Sequence, residues 1–378
     1  MTLGILIYSL GGGGAERVVS NLLNYFHSKK LNVVLIMMNR KIVYDIPKDI
    51  PIYYIDESKV SESGFTKLAK VPLLAYKYAM LCKKKNITHS LSLMTRPNYI
   101  NILSRFFHKG PKRIISERAF PSLQYGYGDL KSQINKVLIK KTYKKADLVI
   151  ANSNGNASDL VANFQVPKTI IDVIYNPIDL SKVEKSGIKQ DFFDPNYINL
   201  ITVGRLDAGK NHKMLIEAIA DQKNIRLYIL GDGELRSELE GIINEKKLQD
   251  NVYLLGFIDT PFEYLKGADI FVFGSNHEGF PNVLLEAMAC GLPIISTNCK
   301  AGPSEILEVQ NEKLDALMPS EYGTLVPVGN SKLMKEAIVS MTQNKDFKNQ
   351  YAPHLKKRIS DFAIAGILEE YKNSIFNP

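Results

Sequence analysis

The sequence predicts an α/β protein made of two halves, each a parallel sheet wrapped by crossover helices. Three observations carry that expectation. Short apolar runs alternate with helical patterns along the whole chain, as successive strand–helix–strand units require. A polar, interrupted stretch from Pro177 to Pro195 divides the chain into two parts, each long enough for its own core. Finally, glycine-bearing turns follow the first strand of each half, at Gly11–Gly14 and at Gly204.

In the first half the expected strands are 4–10, 32–38, 52–55, 89–93, 113–116 and 147–151. In the second they are 199–203, 226–230, 252–255, 270–273, 293–297 and 324–326. The domains expected are 1–178, 192–355 and a terminal helical segment 356–378. Two Rossmann-like halves facing each other would leave a cleft outside the carboxyl ends of their strands, where ligands bind in such sheets. No apolar run approaches the roughly 20 residues needed to cross a bilayer. Residues 3–10 lack the basic leader of a signal peptide and read as a first strand. Cys82, Cys290 and Cys299 have no metal-ligand spacing and cannot build a disulfide framework, which fits reduced thiols in a cytoplasm.

The net charge of +9 is uneven. Residues 1–190 hold 29 Lys+Arg against 13 Asp+Glu, whereas residues 191–378 hold 19 against 26. The first half therefore expects a polyanion or an anionic membrane surface as partner. Zinc-finger spacing and aromatic RNA-binding strands are missing, which argues against nucleic acid.

Three features have the chemistry of a diphosphate site. Gly11-Gly-Gly-Gly-Ala-Glu16 leads from the first strand into a helix beginning near Ala15, and backbone amides there can approach a phosphate. The same run also reads as a plain strand-to-helix turn. Gly204-Arg-Leu-Asp-Ala-Gly-Lys-Asn211 offers a forked guanidinium and a point-charge ammonium five residues apart. A solvated basic loop is the alternative. Glu278-Gly-Phe-Pro-Asn-Val-Leu-Leu-Glu286 sets two carboxylates eight positions apart, with Pro281 suited to a first helical turn and Gly291 to a left-handed cap, and an ordinary amphipathic helix with a Glu at each end is the alternative. Eight helical residues would span ~12 Å, against about 5 Å between the carboxylates of a retaining glycosidase, so this pair suits the two ends of an extended ligand.

These motifs, joined to LGDGELRSELE at 230–240, LLGF at 254–257 and EGFPNVLLEAMACGLPII at 278–295, make the chain resemble the retaining glycosyltransferases of family 4, which have the GT-B fold. The likeness runs end to end. LGILIYSLGGGGAERVV at the start, RPNYI at 96–100 and SNGNASDLVANF at 153–164 sharpen it toward N-acetylgalactosaminyltransferases that extend an undecaprenyl-diphosphate-linked sugar in bacterial N-glycosylation. The resemblance implies that Arg205 and Lys210 hold the donor diphosphate, Glu286 the ribose hydroxyls, and Glu278 the donor sugar. Gly279, Phe280, Pro281 and Asn282 would shape the sugar pocket, Gly256 and Phe257 the uracil site, and Gly13 and Gly14 the approach to the diphosphate from the first half. Arg118 and Arg96 would meet an acceptor or donor phosphate, the alternative for Arg118 being a pair with Glu117 or another surface acid. Many family members have Ser-Glu-His where this chain has Ser116-Glu117-Arg118. Arg118 cannot act as a base at neutral pH, so no histidine-mediated proton step is expected.

The resemblance further implies a UDP-sugar donor, a polyprenyl-diphosphate-linked saccharide acceptor, no metal cofactor and a peripheral place on the inner face of the cell membrane. A related transferase of O-antigen, capsule or lipopolysaccharide assembly is the nearest alternative. A dinucleotide-dependent oxidoreductase and a non-catalytic sugar-nucleotide or membrane adaptor are alternatives of other classes.

Overall fold

The computed structural model describes residues 1–57, 62–309, 315–343 and 346–377. Pro378, the end of the expected terminal segment, lies outside them. The chain divides into two compact units, Met1–Pro177 with Ala365–Pro378, and Ile178–Ile364.

The first unit is a seven-stranded parallel sheet. Its strands are β1 (Thr2–Ile7), β2 (Asn32–Met37), β3 (Ile52–Tyr54), β4 (His89–Leu93), β5 (Lys112–Glu117), β6 (Leu148–Ala151) and β7 (Ile171–Val173), in the order β3-β2-β1-β4-β5-β6-β7. β1 and β2 are apolar on both faces, as a sheet covered by helices on each side demands. Leu6, Ile36, Ile115 and Val149 from the strands meet Tyr78, Ile100 and Leu160 from helices in one core.

The second unit repeats the plan with β8 (Ile198–Val203), β9 (Ile225–Leu230), β10 (Val252–Gly256), β11 (Ile270–Phe273), β12 (Ile294–Thr297), β13 (Met318–Ser320) and β14 (Gly323–Val326), ordered β10-β9-β8-β11-β12-β14-β13. All neighbours are parallel except the β13–β14 pair. Both sheets reverse strand order beside their first strand, the position where open α/β sheets bind ligands.

Sequence reading misses β7 and β13, each three residues long and too short for a period to register. The Pro177–Pro195 stretch that divides the chain in the sequence starts at the boundary between the units, and from Ile178 on it belongs to the second unit. Ile178 pairs with Ala363, with backbone bonds from Ile178 to the Phe362 carbonyl at 2.9 Å and from Ile364 to the Ile178 carbonyl at 3.0 Å. A short helix, Leu180–Lys185, follows, its Asp179 cap accepting from the Ser181 amide. Phe193 then buries its ring edge-on against Tyr228 at 4.9 Å, so apolar packing fixes a segment that its polar composition makes look loose. The terminal segment is likewise two helices, Phe347–Ile359 and Ile364–Phe376, and the second belongs to the first unit.

Candidate active site

Four loops at the carboxyl ends of β8, β9, β11 and β12 build the site of the second unit. After β8 the chain passes through Gly204–Asn211 into the helix His212–Ile219. Gly231, at the end of β9, holds φ +151°, and a β-carbon there would collide with the Gly204 carbonyl oxygen. A β-carbon on Gly233 would likewise strike the Leu206 backbone. The two loops therefore pack backbone on backbone, with Leu206 donating to the Asp232 carbonyl at 3.1 Å and Leu235 to the Leu206 carbonyl at 3.0 Å. His212 fastens this loop from beneath. Its ring is buried, Nε2 lies 3.2 Å from the Arg205 carbonyl, and burial pushes the imidazole down to about 4, so it is neutral and donates there.

The loop after β11 is stitched to the first. The Asn276 amide donates to the Gly209 carbonyl at 2.8 Å, and the Asn276 side chain to the Ala208 carbonyl at 3.0 Å. Asn211, in a left-handed conformation, donates its side-chain amide to Asn276 Oδ1 at 3.1 Å. Lys210 Nζ thereby reaches Glu278 Oε1 at 2.5 Å, and Ser275 Oγ donates to the same oxygen at 2.8 Å. Thr297, at the end of β12, holds the Ser275 carbonyl at 2.6 Å. The ion pair is partly buried, Lys210 at 26% and Glu278 at 14% side-chain exposure, and the ammonium lies 5.5 Å from the Phe273 ring centroid. Arg205 differs sharply. Its side chain is 77% exposed, and its one ion pair among the described residues is with Asp207, at 3.8 Å. One cation is thus anchored and the other extends into solvent.

Pro281 stands one residue ahead of its expected place, as the N-cap of the helix Asn282–Ala289. Residues 278–281 are not helical, so the continuous eight-residue helix between the two carboxylates does not form. Glu286 is buried on that helix, and Gly291, at φ +75°, supplies the left-handed end that the sequence predicts. Gly302, at φ +94°, lets its backbone press against Phe280 and Pro281. The Phe280 ring is itself buried and 5.8 Å from that of Phe362, so this residue can offer a ligand its backbone and not its ring. Gly256, at φ +77°, accepts from the Gly231 amide at 2.8 Å, and the adjacent Phe257 side chain is exposed.

In the first unit the glycine-rich turn is already engaged. Helix Gly14–Ser28 starts on the Glu16 half of a capping box, in which Glu16 accepts from the Gly13 amide while the glycine N-cap returns no side-chain bond. The other Glu16 oxygen accepts from Ser9 Oγ at 2.9 Å and the Gly11 amide at 3.3 Å. The chain's own carboxylate thus occupies amides that the sequence offers to a phosphate. Arg96 lies in a charged cluster, 3.5 Å from Asp56, while Lys70 contacts Glu62 at 2.8 Å. Arg118, at the end of β5, directs its guanidinium to Tyr371 and Asn176.

Sequence reasoning misses Ser275 and His212, although Ser275 lies three residues before Glu278 and His212 directly follows the Lys-Asn pair. A single Ser in a loop or a His at a helix start has no periodicity to mark it.

The family described as Glycosyl transferases group 1 matches residues 185–358, and the one described as Glycosyltransferase Family 4 matches residues 12–182. The chain is 39% identical over 361 residues, 95% of each chain, to the N-acetylgalactosamine-N,N'-diacetylbacillosaminyl-diphospho-undecaprenol 4-alpha-N-acetylgalactosaminyltransferase of Campylobacter jejuni. It is 32% identical over 291 residues, 69% of this chain and 71% of the other, to an uncharacterized glycosyltransferase of Methanocaldococcus jannaschii. Among solved structures, HepE of Anabaena in complex with UDP and glucose superimposes with a TM-score of 0.77 at 18% identity, over 100% of both chains. Sucrose-phosphate synthase of Thermosynechococcus elongatus superimposes at 0.83, also at 18% identity, over 99% of this chain and 98% of the other. Two Rossmann-like units, the cation and carboxylate loops of the second, and a near full-length likeness to a sugar transferase converge on one assignment: the chain is a glycosyltransferase of family 4 with the GT-B fold.

Proposed function

We propose that the chain moves an N-acetylated hexosamine, N-acetylgalactosamine, from its UDP conjugate to a saccharide carried on undecaprenyl diphosphate, with retention of configuration. The substrate class is supported by the printed activity of the Campylobacter relative, which this chain matches over 95% of its length. The chemistry is supported by one observation, the Lys210–Glu278 pair held at 2.5 Å beside an exposed Arg205.

Sugar transfer passes through an oxocarbenium-like centre, so a site must chiefly stabilise the departing diphosphate. Lys210 and Arg205 supply that charge in this reading, and no metal has a part in it. Glu278 orients Lys210 before the donor arrives and faces the sugar once it has bound. Glu286 takes the ribose hydroxyls, and the backbone of Gly279–Asn282 the sugar and phosphate. The leaving phosphate oxygen accepts the acceptor's hydroxyl proton, so no side chain need be a base. In the first unit, Arg118 meets an acceptor phosphate.

The first unit then lies on the membrane surface that carries the acceptor. Phe65, Leu73, Tyr76, Phe106, Phe107, Leu130 and Val137 are exposed there, interleaved with exposed Lys77, Lys131, Lys140 and Lys141. The surface is narrower than the sequence implies, because Val71, Leu74, Ala75 and Ile139 turn into the core.

A transfer assay with UDP-N-acetylgalactosamine, UDP-N-acetylglucosamine, UDP-glucose and a GDP-sugar, on a synthetic polyprenyl-diphosphate saccharide, tests the reading. Product from UDP-N-acetylgalactosamine is expected, and transfer only from the GDP-sugar would overturn it. Arg205→Ala, Lys210→Ala and Glu278→Ala should each cut kcat/KM by roughly 10²-fold or more with the fold retained. Wild-type turnover from all three refutes the assigned roles.

A further inference from the structure

Arg118 is held in a way that a surface arginine is not. Its amide donates to Glu117 Oε1 at 2.9 Å, and the Ala119 amide reaches the same oxygen at 3.3 Å. Glu117 is 1% exposed, and its second oxygen accepts from Tyr143 Oη at 2.6 Å. Tyr143 in turn accepts from Asn98 Nδ2 at 3.1 Å. On the other side, the Arg118 carbonyl accepts from Asn152 Nδ2 at 3.3 Å, and Asn156 donates to both Asn152 at 2.9 Å and the Glu117 carbonyl at 3.1 Å. A buried polar network therefore fixes the backbone at the carboxyl end of β5, where parallel sheets bind their ligands.

The guanidinium is fixed as well, by neutral partners. Nη1 donates to Tyr371 Oη at 2.8 Å and Nη2 donates to Asn176 Oδ1. Tyr371 is fully buried and comes from the helix Ile364–Phe376, after the chain has traversed the whole second unit. Among the described residues no carboxylate makes an ion pair with this guanidinium. The oxygens of Glu117 are directed to Tyr143 and to backbone amides. Neutral acceptors set the plane of the guanidinium without cancelling its charge. They use two of its five donors, and the residue is only half-buried. A planar cation with a set orientation and spare donors suits a phosphate oxygen.

We infer that Tyr371 and Asn176 are positioning residues that present Arg118 to the diphosphate of the lipid-linked acceptor, so that the returning C-terminal helix completes the acceptor side of the first unit. This rests on the transferase reading above. The test is steady-state kinetics on the full chain, varying the synthetic polyprenyl-diphosphate saccharide and UDP-N-acetylgalactosamine separately. Tyr371→Phe removes one oxygen and keeps the ring in the core, and Asn176→Ala is the second variant should the first fold poorly. Both are expected to raise the KM for the lipid acceptor roughly tenfold, the cost of one hydrogen bond to a charged group, with the KM for the donor unchanged. Arg118→Ala should raise the acceptor KM further, and Arg118→Lys should restore only part of it. An acceptor KM like the wild type's in folded Tyr371→Phe or Asn176→Ala, beside an impaired Arg118→Ala, overturns the positioning role alone. A parallel rise in both KM values points to a structural role and overturns it as well. If the wild type transfers to no lipid diphosphate, the function and this inference fall together.

Discussion

His212 and Lys210 lie two residues apart and serve the same loop by opposite means, one through neutrality and one through charge. The neutral imidazole has a consequence for stability. Its folded value of about 4 lies below the ordinary 6.5, so between those limits the unfolded chain binds the proton and the folded chain does not. The contribution is whole above pH 6.5 and is lost as pH falls toward 4, up to about 3 kcal/mol. Denaturant titrations of wild type and His212→Gln at pH 7 and pH 5 should show the wild type losing more stability than the variant, which keeps a donor but does not titrate. Equal losses would remove His212 from its buried, neutral place. At this scale Arg205, Lys210 and Glu278 stand out in the sequence because charges in loops after strands are conspicuous, and Glu286 because a carboxylate interrupts an apolar helix. The exchange between Lys210 and Glu278 does not, since 68 residues separate them and only the Asn276–Gly209 stitching brings them within reach. Nor does sequence tell that the amide of Gly13 faces Glu16, because the same glycine amides could as well face a bound phosphate.

Elements show the same division. Long apolar strands such as β1 and β8 announce themselves, while β13 hides because Pro319 reads as a breaker, though proline is admissible on an edge strand. The helix Asn282–Ala289 was legible to within a residue at its start and at its Gly291 end. Less visible is the contact between the loops after β8 and β9, which depends on Gly231 having no side chain. Gly231→Ala should cost about 3 kcal/mol or more, a φ penalty compounded by collision with the Gly204 carbonyl, and lower the Tm of the second unit by roughly 6 °C or more. Differential scanning calorimetry checks this, and an unchanged Tm would mean that the two loops are not in contact. Arg205 and Lys210 share the disturbed loop, so UDP binding should weaken in the same variant.

For the molecule as a whole, the sequence's charge asymmetry coincides with the division into units. The basic excess of residues 1–190 lies almost wholly in the first unit, among exposed aromatic and aliphatic side chains. Basic and apolar side chains exposed together make surface attachment the mode to test. Vesicles containing anionic lipid should carry the protein upward in a flotation gradient at low salt and release it at high salt, with Phe106→Ser/Phe107→Ser weakening the attachment. Failure to float with anionic vesicles at any salt concentration sets that mode aside.

The helix Ile364–Phe376 supplies Tyr371, Ile367 and Ile375 to the first unit although the entire second unit is synthesised before it. While the nascent polypeptide is still on the ribosome, the first sheet must therefore wait with one flank uncovered until the second unit and Ile364–Phe376 have been made. A frameshift just before Ile364 would be felt first in the first unit.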